Sequence, residues 1–193
     1  DNDGMDYARM HAVAEELANR APDFVRGFEI SDDQIVMMMP PSRPHEYVAL
    51  RIRQQLDKQL PPDLVAHTGG EVEHAALGKL RRPDVIVVPY AIFAESTMAP
   101  FDPQDVPLVV EVVSPSDHTN DYVEKVHDYA AMGIGLYLVV DPRKSTLTVF
   151  TDPGPSPEGP RYRAQHDYAF GSPVVVGPWT LETTDLRPYP TTS

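Results

Sequence analysis

The chain has 193 residues, 41% of them hydrophobic, and a formal net charge of −13. A chain of this size can bury about 70% of its unfolded surface in one core, and its hydrophobic share argues against global disorder. It contains no cysteine, which excludes disulfides and thiolate metal sites. The acidic balance counts against tight non-specific binding to nucleic acid, although a local basic patch stays compatible with it. No apolar run approaches the roughly 20 residues needed to cross a bilayer, and the first residues lack the basic and apolar regions of a signal peptide. The expectation is a cytoplasmic protein without membrane contact.

Residues 5–21 have helical period, with Met5, Ala8, Val13, Leu17 and Ala18 expected in the core. Residues 24–30 and 34–39 read as two strands joined by the polar turn Ser31-Asp32-Asp33. A rigid connection, 40–44, leads to a helix over 45–60, whose inner side carries Val48, Ile52, Leu56 and Leu60 and whose outer side carries Arg51, Arg53 and Lys58. His45 and Glu46 fall in its first turn, where the helix dipole favours an acid whatever its function. Residues 64–68 and 71–76 read as short strands around Gly69-Gly70, with Glu71 and Glu73 facing solvent or one cleft wall. Residues 78–82 form a polar turn with three bases, Lys79, Arg81 and Arg82. Residues 83–89 are an apolar run with a single acid, Asp84, and proline is tolerated at its first position. The proline- and aspartate-rich stretch 100–107 is a loop.

Leu108-Val109-Val110-Glu111-Val112-Val113 is rich in β-branched residues and reads as a buried strand. A carboxylate at Glu111 is costly there unless it is paired or holds a cation. Ser114-Pro115-Ser116 ends the strand, and residues 121–132 then take helical period. Val123, Val126 and Ala130 fall on one side, flanked by Tyr122 and Tyr129, while Asp121 and Lys125 share another. Gly133 and Gly135 are natural helix stops. Residues 136–140 form a second buried strand closed by Asp141-Pro142, so strand, helix and strand follow one another as in a βαβ unit with parallel strands. An Arg143-Lys144 turn leads to an edge strand at 146–150 and a proline-rich loop at 152–160. Residues 161–168 and 173–176 are expected to pair as a terminal hairpin anchored by Trp179, before a closing turn at 181–186 and a tail at 188–193. The fold class is α/β (α+β), a mixed central sheet flanked by helices, in a single domain over 1–193.

Two buried-looking strands thus each carry one carboxylate, Asp84 and Glu111, and Lys125 follows fourteen residues after the second. Oxygen ligands of this kind suit a hard divalent cation such as Mg²⁺ or Mn²⁺. Such a metal polarises a phosphoryl oxygen and supplies a hydroxide nucleophile, while a nearby ammonium offsets charge in the transition state.

The linked set Pro83-Asp84, Leu-Val-Val-Glu-Val-Val-Ser-Pro-Ser (108–116), Asp121, Glu124-Lys125, Tyr129-Ala130, Gly133, Tyr137 and Val139-Val140-Asp141-Pro142 resembles the Uma family of restriction endonucleases, part of the PD-(D/E)xK nuclease superfamily. The resemblance spans roughly residues 24–150 and, more loosely, the C-terminal hairpin. It implies a restriction-endonuclease-like core over about 22–150, with an N-terminal helix at 5–21 and a hairpin extension at 151–187. It makes Asp84 the metal-binding aspartate and Glu111 its acidic partner. Val113 stands where the superfamily motif places lysine, so the ammonium is assigned to Lys125 on the following helix. His45 or Glu46 matches the polar residue that such folds often present from an early helix.

The leading reading is a Mg²⁺-dependent endodeoxyribonuclease. Asp84, Glu111 and the Val112 carbonyl hold the metal, Lys125 acts on the attacking water, and Lys79, Arg81 and Arg82 face DNA phosphate together with Arg51 and Arg53. Plain alternatives stand beside each residue: Asp84 as a salt-bridge partner of Arg81 or Arg82, Lys125 as a solvated partner of Asp121 or Asp128. The competing reading is an inactive nuclease-like scaffold serving as a dimerising or protein-binding module. A homodimer is expected for the nuclease, since double-strand cleavage takes two sites.

Overall fold

The computed structural model describes residues 3–116 and 120–191. Helix α1 (Asp3–Arg20) precedes β1 (Gly27–Ser31) and β2 (Gln34–Met38), and α2 (Arg43–Gln59) follows. Then come β3 (Leu64–His67), β4 (Val72–His74), β5 (Lys79–Arg81), β6 (Val85–Pro89), the single turn α3 (Tyr90–Phe93) and β7 (Leu108–Val112). A π-helical segment, Asn120–Glu124, runs into α4 (Lys125–Ala131), and the chain continues through β8 (Leu136–Asp141), β9 (Thr146–Gly154), β10 (Arg161–Ala169), β11 (Val174–Val176) and β12 (Trp179–Leu181). No helix among the described residues is long and apolar enough to cross a membrane.

The central sheet has the order β10-β9-β8-β7-β6-β3, and within it only β7 and β8 run parallel. This is the expected βαβ unit, with α4 as its crossover. Alternation along the strands divides the core in two. Val85, Val87, Val110, Val112, Leu138 and Val140 face α2 residues Val48, Ile52 and Leu56, together with Trp179 and Leu181 of the β11–β12 hairpin. Ile86, Val88, Val109, Tyr137 and Val139 face Tyr129 and Ala130 of α4. A second sheet, β2-β1-β5-β4, carries α1 on the side of Ile30 and Leu80. Its other side meets α4 through charge rather than hydrocarbon. Arg81 and Lys79 both pair with Asp128 of α4, at 2.6 and 2.7 Å.

The local chemistry explains several boundaries. β1 and β2 are joined by Asp32 and Asp33, both at positive φ (48° and 60°), the backbone that a two-residue hairpin turn of matching twist requires. Ser42 caps α2 by accepting from the His45 N–H at 3.3 Å, and Pro44 lies in the first turn.

Other expectations are corrected. α1 buries Tyr7 and Ala14, with Met10 and His11 half-buried, whereas Val13 (44%) and Leu17 (49%) are exposed; Ala8 is exposed, Ala18 half-buried, and the Met5 side chain lies outside the described residues. The buried side is chosen by the Tyr7 hydroxyl, which donates to Glu73 at 2.7 Å, and by His11 stacking edge-on against Phe28. β3 and β4 do not pair with each other; they belong to the two different sheets. β9 is flanked by β8 and β10 rather than forming an edge, and it runs on through the first residues of the expected loop to Gly154. β10 pairs with β9, so the terminal hairpin is β11–β12. The C-terminal tail is pinned as well: the Tyr189 N–H donates to the Pro142 carbonyl at 3.0 Å.

Candidate active site

The β6–β7 ladder pairs Val85 with Val110 in antiparallel register. Asp84 immediately precedes Val85 and Glu111 immediately follows Val110, and alternation sends the Glu111 side chain toward the α4 face. Glu111 is buried, with 2% of its surface exposed, and both its oxygens are engaged. Oε1 accepts from the Tyr129 hydroxyl at 2.6 Å, and Oε2 lies 3.1 Å from the Lys125 ammonium. Lys125 also pairs with Asp121 at 3.0 Å. Asp121 is steadied in turn through its own carbonyl, which accepts from the Tyr137 hydroxyl at 2.8 Å.

Asp84 accepts from the Val112 N–H at 2.7 Å. His45 arrives from the first turn of α2, on the opposite face of the sheet, and bridges the end of the β6–β7 pair. Its Nε2 is 2.9 Å from the Val112 carbonyl and 3.3 Å from Asp84 Oδ2. Both neighbours are acceptors, so Nε2 carries the proton. Glu46, by contrast, is exposed. The structure therefore brings Asp84, Glu111, Val112, Lys125 and His45 into one cluster, and leaves Glu46 out of it.

The cluster holds more acid than base. Burial pushes the Glu111 carboxyl well above its ordinary range; Lys125 pulls against that, while Asp84, Asp121 and Glu29 add to it. Asp121 is raised by burial too, against the pull of Lys125. For Asp84 burial is outweighed by the hydrogen bond and charge of His45, and the carboxyl sits below its usual value. Burial pushes Lys125 and His45 down, but the surrounding acids, Glu111 for the lysine and Asp84 for the imidazole, hold both above their ordinary values. Three carboxyl groups thus share one lysine and one histidine. Among the described residues no three His, Asp or Glu side chains converge as a metal-binding group. Asp84 and Glu111 stand on neighbouring strands near enough for the charge of Asp84 to raise Glu111, and with the Val112 carbonyl they are oxygen donors of the kind that suit a hard divalent cation.

The expected phosphate-facing residues are elsewhere. Lys79 and Arg81 are buried on β5, a strand where a turn was expected. Lys79 reaches Asp32 and Asp128, both at 2.7 Å, and Arg81 reaches Asp128 at 2.6 Å and Glu29 at 3.6 Å. They tie the small sheet to α4 rather than facing solvent, because five polar side chains close on one another there. Arg82 keeps partial exposure but donates to the Arg26 carbonyl at 2.6 Å and pairs with Glu71 at 3.5 Å. Arg51 is engaged by Asp185 and Arg53 by Asp57.

α4 buries Ala130 and partly buries Val126 as expected, but it and the π segment before it also turn polar residues inward. Val123 is 61% exposed, while Asp121, Lys125, Asp128 and Tyr129 are buried. Two contributors escaped sequence reasoning. Tyr129 was placed only as an apolar flank, although its hydroxyl fixes Glu111. Tyr189 was assigned to a tail, although its hydroxyl donates to the Val113 carbonyl and burial and the charges of Asp84, Asp141 and Asp121 push its phenol up. The Asp121–Lys125 spacing was a usable signal for the first; nothing local marks the second.

The family model Uma2, described as "Putative restriction endonuclease", matches residues 16–183. The chain belongs to this family. A similar solved structure is a protein from Anabaena variabilis, described as a putative nuclease belonging to DUF820, at 15% identity and a TM-score of 0.63, covering 89% of this chain and 95% of that one. That likeness shows a shared fold, the mixed sheet flanked by helices. No match was found among curated proteins. The Uma2 assignment and the nuclease-like fold support a nuclease, and the acid cluster at the end of β6 and β7 is its candidate centre.

Proposed function

We propose that this Uma2 member is a Mg²⁺-dependent endodeoxyribonuclease acting as one domain, with Asp84, Glu111 and the Val112 carbonyl as ligands of Mg²⁺ or Mn²⁺. The reading is carried by one observation: Asp84 and Glu111, at adjoining ends of β6 and β7, lie near enough to interact electrostatically, and Glu111 pairs with the buried Lys125 among further acids. A divalent ion bound there supplies Lewis-acid polarisation of a phosphoryl oxygen and a more acidic water. The chain's own groups do the rest. Tyr129 donates to Glu111 and holds its carboxylate orientation. His45 donates to both Asp84 and Val112 and fixes the geometry of that pair. Lys125, steered by Asp121, presents a cation where negative charge develops as the phosphodiester is attacked. DNA as substrate implies a cytoplasmic setting, and cutting both strands takes two such sites, hence a homodimer.

Plasmid nicking tests the reading. The wild type is expected to nick with Mg²⁺ or Mn²⁺ and to stop with chelator, and Lys125→Ala to lose about 10²–10³ in rate. Glu111→Gln is expected to abolish divalent-ion binding in calorimetry while the fold survives; unchanged affinity in that variant removes the metal assignment. The second reading, an inactive scaffold, draws on Lys125 being engaged by Glu111 and Asp121 and on the net charge of −13. A wild type that binds Mn²⁺ yet never nicks would favour it.

A further inference from the structure

With Lys79 and Arg81 buried, the surface that meets a phosphate backbone must be found among other cations. Lys144 and Arg187 are both exposed, and neither has a carboxylate partner among the described residues. Each instead lies over a tyrosine ring. The Lys144 ammonium is 5.3 Å from the centre of Tyr122, and the Arg187 guanidinium is 5.4 Å from that of Tyr47. A cation braced in this way gives up little further freedom on gripping an anion, and it keeps its charge facing water.

Their positions relate to the acid centre. Tyr122 adjoins Asp121, the partner of Lys125, and its hydroxyl donates to Asp141 at 2.7 Å. It packs against the α4 side of the sheet. Tyr47 is two residues past His45 and packs against the α2 side. The two segments that carry the cations are also tied together. Tyr189, two residues after Arg187, donates its N–H to the Pro142 carbonyl, two residues before Lys144, and its hydroxyl donates to the Val113 carbonyl, next to Val112.

We infer that Lys144 and Arg187 grip the phosphodiester backbone of duplex DNA from the two faces of the sheet, one on each side of the Asp84–Glu111 centre. The inference rests on the nuclease reading above. In a chain with so large a negative charge, these two cations offset repulsion at the one place where the duplex must approach the acids.

The test is steady-state plasmid nicking by the full chain across a salt series. Lys144→Ala and Arg187→Ala are each expected to raise KM about tenfold at low salt, with kcat within about twofold. Each should flatten the log–log salt dependence of kcat/KM by about one, as for one lost phosphate contact. Lys144→Arg should keep most of the wild-type KM. Lys58→Ala, about 20 Å along α2 from His45, should change nothing. Melting temperatures equal to wild type exclude unfolding as the cause. Active variants with unchanged KM and salt slope, or a loss confined to kcat, overturn the grip while the nuclease reading stands. A wild type that never nicks removes both.

Discussion

Glu111 and Asp128 are buried acids with opposite pH signatures. Burial raises the Glu111 carboxyl above its unfolded value, so the native state holds that proton more tightly than the unfolded chain. Its contribution is present below the ordinary glutamate range and is lost as pH rises through the raised value. In chelated protein, Glu111→Gln should therefore melt above wild type, by a margin that grows as pH rises above the ordinary glutamate range; differential scanning calorimetry reads it, and a margin that shrinks with pH contradicts the assignment. At Asp128 burial is outweighed by Arg81, then Lys79 and Ser31, and the carboxyl sits below its usual value. Its stabilisation is present above the ordinary aspartate range and disappears as pH falls through the lowered value. Asp128→Asn leaves Arg81 and Lys79 short of an acid, at a cost of about 3 kcal/mol near neutrality. Urea melts should show that gap closing in acid.

The helix α4 illustrates what separates a periodic pattern from a packed face. Its spacing predicts an apolar side of Val123, Val126 and Ala130; Ala130 is buried and Val126 packs against the core, yet Val123 faces solvent, and Asp121, Lys125, Asp128 and Tyr129 turn inward as well. The π segment Asn120–Glu124 precedes α4 and widens its first turn, which changes the register of side chains entering the helix. The carboxylates and arginine waiting on the neighbouring strands then satisfy the polar side chains that turn inward. No count of apolar spacings within the helix contains that information. The helix end was more legible. Gly133 sits at φ +76° with open space around it, while Gly135 needs no left-handed backbone. Gly133→Ala should cost about 1 kcal/mol from backbone strain alone, a fall of roughly 2–4 °C in Tm. Gly135→Ala should stay within about 0.5 kcal/mol of wild type, and equal losses at both would deny the distinction.

For the whole molecule, a metal that binds only the folded state stabilises by mass action. At about 100 times its dissociation constant the gain is about 2.7 kcal/mol, or roughly 5–10 °C in Tm for a chain of this size. Thermal shift with Mn²⁺ should show that rise in wild type and lose it in Asp84→Asn. The small sheet belongs to the same design. Its polar face docks on α4 through Lys79 and Arg81, and the charge of Glu29, which pairs with Arg81, is felt by Glu111, Lys125 and Asp121. The acid centre is therefore set by both sheets.

Chain-local chemistry was enough to determine the βαβ unit, the two acids on β-branched strands, the helix after the 40–44 connection and the family, because strand runs, turn residues and motif spacing act over neighbouring positions. Only the tertiary structure decided which bases are buried and which are free, which side of α4 points inward, and that Tyr129 and Tyr189 border the site. Those outcomes depend on where opposite charges and hydrogen-bond partners from distant segments meet. Lys79 and Lys144 are the same residue type in turn-like sequence, yet one is enclosed by carboxylates from two other elements and the other is left over a tyrosine ring in water.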